Sequence, residues 1–424
     1  MERITRFHAD RMDARGAATS IYNGKTLAVF GLFPGEEAIV EVRKGKRGYD
    51  GIIREFLSTR PERRQPFEMH YLSCGPWQTI DYALQAELKK EMLEELFADL
   101  RGGVSLEFRT AHAMSGYRTK MEFSFSDRGT PLELAFHERG RKFDRLLAPD
   151  GCVLAGEATN AAARAVAALL RDKGVLPDDL KSLVVRESKA DGQTIAVIYT
   201  KAEELPEIAI DGISGLVGLR AYHSTRKSPA SVSTRELWSH GKLELSDVVR
   251  GLRVFYAHDA FFQNNIPMFE LALGDIAAAV RGSRVVELYA GVGVIGLALA
   301  GSVERIVGVE IIPSAVENAR ANAKANGITN YEAILASAEK ALDAITGAET
   351  LVLDPPRAGL HPKLVAAIGS ERPRRIVYLS CNPETQARDA KLLLAAGYEL
   401  TALTGYDFYP ETPHCESLAI FDCA

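Results

Sequence analysis

Over residues 1–64 the chain alternates apolar and polar positions in short stretches, "ATSIYNGKTLAVFG" and then "FPGEEAIVEVRKGKRGYDGIIREFL". Asn23-Gly24 and Pro34-Gly35 supply turn dipeptides between them, which predicts a small β-barrel. "STRPERRQP" then reads as a linker. From about 79 to 100 the period changes, with Leu84, Leu88, Met92 and Leu96 four residues apart, predicting a helix. A mixed region follows to about 258, with strands expected at "YRTKMEFSF", "SLVVRES" and "TIAVIYT" and a helix at "EATNAAARAVAALLRDKG".

From about 259 apolar runs and helical periods alternate: "RVVELYA", "GVIGLALA", "RIVGVE", "PSAVENARANAKANG", "TLVLD", "HPKLVAAIG", "RIVYLS", "PETQARDAKLLLAAG", then "YELTALTGYDF" and "SLAIFD". Alternation of this kind predicts an α/β unit with right-handed crossovers over a mainly parallel sheet. The expected division is therefore 1–64, 65–258 and 259–424.

Composition adds limits rather than detail. The chain has 424 residues, 46% of them hydrophobic and 25% charged, as expected for a globular protein of more than one domain. "MERITRFHAD" lacks the apolar core of a signal peptide and no later run is long enough for a membrane span, so a cytoplasmic, non-membrane protein is expected. The five cysteines, at 74, 152, 381, 415 and 423, are too scattered for a disulfide framework. Net charge is -5, yet residues 1–64 carry 13 Lys/Arg against 9 Asp/Glu, so a local basic module is compatible with phosphate binding on an otherwise acidic chain.

The candidate chemistry lies in the last third. Gly291-x-Gly293-x-x-Gly296 stands between a strand and a helix, and Glu310 closes the next strand. Such glycines admit a ligand close to the backbone, and an acid on the second strand accepts from ribose hydroxyls; a dinucleotide and S-adenosylmethionine fit equally at this point. "LVLDPPRAGL" favours the second. Asp354-Pro355-Pro356-Arg357 makes a rigid extended lip at the strand's carboxyl end, of the kind found in methyltransferases acting on bases.

Cys381 follows the next strand, just ahead of Asn382, expected to cap the helix, and Pro383. Amide dipoles there are expected to favour thiolate and lower its pKa. Glu416, entering the last apolar strand, is a candidate base. The pair suits one reaction: a thiolate adds to uracil C6, C5 takes a methyl group from a sulfonium, and a base removes the C5 proton.

Taken in order, "DAFFQNN", "ELYAGVGVIGL", "GVEIIPSAVENARANAKANG", "LVLDPPRAGL", "YLSCNP" and "DFYPETPHCES" resemble the successive motifs of the S-adenosylmethionine-dependent RNA 5-methyluridine methyltransferase family. The first 65 or so residues resemble its N-terminal TRAM domain, and "YRTKMEFSF", "AFHERGRKF" and "LVVRES" its central domain. The resemblance implies an OB-type β-barrel, a central α+β RNA-binding domain and a C-terminal Rossmann-like class I methyltransferase domain. It also implies S-adenosyl-L-methionine as cofactor, a tRNA or rRNA partner, Cys381 as nucleophile and Glu416 as base, and a monomer is the simplest expectation. Gln263, Tyr289, Gly291, Gly293, Glu310 and Asp354 match cofactor-site positions.

Three departures stand out. Many members hold a [4Fe–4S] cluster on four cysteines ahead of a Gln-rich helix, whereas "HYLSCGPWQTIDYALQ" keeps only Cys74, so no cluster is expected. The acid of the first strand, commonly Asp, is Glu287. Ser337 stands where an acid or amide usually approaches adenine, which puts that contact in doubt. Other readings are a C5-cytosine RNA methyltransferase, for which the second cysteine is missing from "LDPPRAGL", an inactive RNA-binding protein, and a dehydrogenase.

Overall fold

The computed structural model describes residues 3–45, 48–128, 130–138, 144–228 and 231–423. The end of "AFHERGRKF", residues 139–143, lies outside these. Among the described residues no helix is long and apolar enough to cross a membrane.

A six-stranded sheet runs in the order Arg3–His8, Glu37–Lys44, Tyr49–Ser58, Lys25–Phe30, Ala17–Tyr22, Arg11–Met12. Asn23 and Gly24 both take positive φ, 48° and 73°, the two left-handed positions that a tight hairpin between twisted strands requires. Phe7, Leu27, Val29 and Val40 fill its core together with Trp77, Ile80, Leu84 and Leu88. The last two lie on the helix Tyr82–Leu96, so the expected four-residue period faces this sheet.

A second sheet has seven strands, Arg145–Leu147, Glu133–His137, Lys120–Ser126, Leu180–Glu187, Thr194–Thr200, Leu216–His223 and Arg235–Gly241. The small-residue face of helix Glu157–Asp172 packs on it through Ala162, Ala163, Val166 and Leu170. Val184, Ile195 and Val197 join a core shared with helix Ile266–Ala279. No break in packing therefore separates this layer from the C-terminal one.

The third sheet has eight strands in the order Tyr331–Leu335, Arg305–Glu310, Arg284–Leu288, Thr350–Leu353, Arg375–Ser380, Glu416–Cys423, Tyr398–Tyr406, Leu106–Arg109. The first five are parallel, and Glu416–Cys423 is antiparallel to both its neighbours. Val285, Val286, Leu351, Val352, Ile376 and Val377 are fully buried, as continuous apolar runs must be when helices cover both faces. Each such side chain contributes roughly 1.5–3 kcal/mol of burial. Pro313, Pro362 and Pro383 each open a helix, where a missing N–H costs nothing. Strand order reverses beside Arg284–Leu288, which opens a crevice between its carboxyl end and that of Thr350–Leu353.

Candidate active site

Beyond Leu288 the chain turns sharply. Tyr289, Gly291 and Gly293 have φ of 64°, 55° and 87°, so a non-glycine residue is held in a left-handed conformation between glycines that adopt it freely. A Cβ on Gly291 would meet open space, whereas one on Gly296 would lie 2.5 Å from Glu287 Oε2 and from the Tyr331 ring. Gly291 thus leaves room for a ligand, and Gly296 lets the helix Val294–Leu299 settle on the strand.

Two carboxylates fix this turn. Buried Glu287 accepts from the Gly296 amide at 3.0 Å, and burial, with Asp354 and Glu310 nearby, pushes its pKa up to about 8. Glu310 accepts from Gly291 N at 2.8 Å through one oxygen, and from Ile311 N and Ile312 N through the other. Ser337 follows the neighbouring strand, whose extension pairs Ala336 N with Glu310 O at 3.0 Å. It stands at the same sheet edge but does not line the crevice.

Gln263, Tyr289, Gly291 and Asp354 line that crevice together with Phe261 and Glu287. Exposed Phe261 was not singled out from sequence; its neighbour Phe262 stacks on Tyr256 with ring centroids 4.1 Å apart. Gln263 Oε1, Asn264 Oδ1, Arg118 Nε and Glu416 Oε2 are buried and find no hydrogen-bond partner among the described residues. Buried polar atoms are normally paired, so the unpaired Gln263 oxygen in the crevice points to a polar ligand there.

Strand register brings Cys381 and Glu416 together. Ser380 pairs with Ser417 in the antiparallel ladder, and one step further the same register sets Cys381 opposite Glu416. The Cys381 pKa is pushed up to about 11, first by burial and then by Glu416 and Asp354, against the pull of Arg357. The expected lowering by the helix terminus is therefore corrected: desolvation and two carboxylates outweigh the dipoles of helix Pro383–Ala395. Asn382 makes no side-chain cap either. Its Nδ2 instead donates to Arg357 O at 2.8 Å, and with Thr385 it pins the Pro-Pro-Arg lip.

Glu416 is 1% exposed, and burial with Asp354 nearby raises its pKa well above the carboxylate range. Tyr409 donates to its Oε1 at 3.3 Å. The loop leading to it is held from elsewhere: Lys89 bonds Asp407 Oδ1 at 2.6 Å, Arg64 clamps Glu411 at 2.6 and 2.7 Å, and Gln85 exchanges two bonds of 2.9 Å with Glu411. Tyr117 adds a bond to Pro410 O at 3.0 Å. These anchors escaped sequence reasoning; the only signal was a helix with Gln85 and Lys89 on an otherwise apolar face.

A cavity of about 260 Å³ opens over Cys381, walled by Arg15 and Phe30 of the first sheet, Met92 and Leu96 of the helix, and Arg357 of the lip. All three parts of the chain thus meet above the thiol.

The residues ahead of the helix do not fit a four-thiolate iron–sulfur cluster. Cys74, the one cysteine of that stretch, is joined there by Cys152 from the central layer, and among the described residues the other two donors in reach are Glu68 and His70.

The family model described as tRNA (uracil-5-)-methyltransferase matches residues 81–422. An uncharacterized RNA methyltransferase of Chlorobaculum tepidum is 30% identical over 98% of this chain and 95% of its own. One from Caldanaerobacter subterraneus subsp. tengcongensis is 29% identical over 97% of each. Among solved structures, Pyrococcus abyssi tRNA (uracil-54, C5)-methyltransferase in complex with S-adenosyl-L-homocysteine superposes with a TM-score of 0.81 at 24% identity, covering 98% of this chain and 100% of that one. With its fold shared end to end and its last four-fifths matched by the family model, the chain belongs to the tRNA (uracil-5-)-methyltransferase family of RNA-modifying enzymes.

Proposed function

We propose that the protein methylates uridine C5 in RNA with S-adenosyl-L-methionine, through a covalent adduct of Cys381 at C6 and with Glu416 as base. The observation carrying this reading is that Cys381 and the buried Glu416 each stand one residue beyond the ladder pair Ser380–Ser417, close enough for the carboxylate to act on the thiol, with a glycine turn that leaves room for a ligand on the same sheet.

Gly291, Gly293, Tyr289 and Glu310 would cradle the cofactor, with Gln263 and Asp354 between it and the target base. Cys381 first loses its thiol proton to solvent; once its sulfur has bonded C6, electron density passes to C5, which takes the methyl group from the sulfonium, released as a thioether. Glu416 then accepts the C5 proton, and the C6–S bond breaks to return thiolate. A carboxyl whose pKa burial has raised is a stronger base than one on the surface. The target base must leave its stack to be reached on both faces, and exposed Phe261 offers a ring for it or a neighbour to stack on.

On the same reading residues 1–64 are an OB-type TRAM module, 65–258 a central RNA-binding domain and 259–424 the Rossmann-like catalytic domain. The test supplies labelled S-adenosylmethionine with separate tRNA and rRNA pools lacking 5-methyluridine, tRNA first. The expected result is 5-methyluridine with wild type and none with Cys381→Ala, which should still bind cofactor. Full activity in that variant would refute the reading.

A further inference from the structure

Glu68, His70, Cys74 and Cys152 converge from two separate stretches of chain, their donor atoms all within 4.8 Å of one another. Three of the four are buried, and the fourth is half-buried. The set mixes two thiols, an imidazole and a carboxylate, which is neither an acidic surface cluster nor a four-thiolate site.

His70 and Glu68 are each oriented by a second contact. His70 Nε2 lies 2.9 Å from Gly151 O, an atom that only accepts, so Nε2 carries the proton and Nδ1 offers its lone pair. That lone pair faces Cys74 Sγ at 3.3 Å. Glu68 Oε2 accepts from Val153 N at 2.8 Å, while Oε1 faces inward and is approached by Cys74 Sγ at 2.9 Å and Cys152 Sγ at 3.4 Å. Gln78 Nε2 supports the same oxygen at 3.0 Å. Imidazole held by a carbonyl and carboxylate held by an amide are the outer contacts that metal ligands usually have.

We propose that Glu68 Oε1, His70 Nδ1, Cys74 Sγ and Cys152 Sγ bind one zinc ion in a closed tetrahedral site. Thiolate, imidazole and carboxylate in a set of four suit Zn²⁺, which has no geometric demand beyond tetrahedral and needs no open position in a structural site. Calcium and magnesium prefer all-oxygen shells, which two thiols exclude. Loading removes a proton from each thiol to solvent and leaves four bonds to the metal in place of the S–H contacts to Glu68. Donors around a tetrahedral zinc lie ~3.3–3.8 Å apart, so Cys74 Sγ draws back from Glu68 Oε1, now at 2.9 Å, while any wider pair within the 4.8 Å spread closes in.

The location gives the ion a task. It would staple the turn Gly151–Val153 of the central layer to the segment 68–78, which in turn grips the loop before Glu416: Trp77 N donates to Glu411 O at 3.0 Å. The ion is thus structural, two steps removed from the reacting atoms.

The test is metal analysis of the full-length protein purified without chelator, followed by removal of metal and titration with Co²⁺ as probe. We expect one equivalent of zinc, and with cobalt the intense visible bands of a tetrahedral ion together with near-ultraviolet thiolate charge transfer. Cys152→Ser and His70→Ala should each lose stoichiometric zinc, and Cys152→Ser should weaken the charge-transfer band. Should these variants unfold, the wild-type cobalt spectrum decides. Absence of both zinc and cobalt bands in folded wild type, or iron found with acid-labile sulfide, would overturn the proposal.

Discussion

Cys381 carries its proton in the free protein because burial and two nearby carboxyl groups hold its pKa near 11. Its alkylation by iodoacetamide, followed on the Cys381 peptide by mass spectrometry, should rise with pH without levelling below about pH 10. Glu416→Gln should shift the profile to lower pH, because a negative neighbour is removed, and Arg357→Gln should shift it upward. A plateau near neutrality in wild type would contradict this electrostatic picture. In turnover Glu416→Gln should leave a protein–RNA adduct stable on denaturing gels, since methylation precedes loss of the C5 proton. Glu287 titrates in a different way. The folded state keeps its proton up to about pH 8 while the unfolded chain releases it near 4.5, so its contribution is full below pH 4.5 and is lost as pH rises to about 8. Glu287→Gln should flatten that decline in urea denaturation measured across the window. Sequence named both acids, but their pKa directions depend on burial, which no motif encodes.

Among the elements, the helix Tyr82–Leu96 has two jobs: Leu84 and Leu88 close the first sheet, and Gln85 and Lys89 hold the loop before Glu416. Lys89 and Asp407 are both fully buried, so removing one leaves the other charge without compensation. Lys89→Met should cost ~3–5 kcal/mol in chemical denaturation. Lys89→Met with Asp407→Leu should recover most of it, and a double variant as unstable as the single would refute the pairing. The periodicity of this helix was legible, as were the alternating elements after residue 259 and the Asn23-Gly24 hairpin. The strand Leu106–Arg109, which joins the far edge of the C-terminal sheet, was not, because four residues carry too little pattern to betray a partner 300 residues away. Nor was the gathering of Cys152 with Cys74, which only the central sheet brings about.

Across the whole molecule, the cavity over Cys381 is walled by the helix Tyr82–Leu96, by the C-terminal layer and by the N-terminal module, with Arg15 reaching it from the turn between strands Arg11–Met12 and Ala17–Tyr22. Arg15→Glu should therefore weaken RNA binding, measured by filter binding across salt concentrations. The log-log salt slope should be reduced by about one, while cofactor affinity is unchanged. An equal loss of cofactor affinity would mean that the first sheet supports the fold rather than the substrate. The basic balance of residues 1–64 was visible as a count, but most of those arginines turn out to be spent on neighbours: Arg63 on Glu36, Arg64 on Glu411, Arg43 on Glu41. Net charge counts them all alike, so it overstates what is free to meet phosphate.

The clamp of Arg64 on Glu411 spans 347 residues of chain. During synthesis the helix Tyr82–Leu96 must wait, its lysine and glutamine facing solvent, until residues 407–411 have been made. The glycine turn and its two acids are complete by residue 310, so a product cut short soon after would carry that turn yet possess neither Cys381 nor Glu416. On the proposed mechanism, competence to react is thus withheld until Glu416 has been made, and the closing of residues 64–89 on residues 407–411 is the step that readies the loop before it.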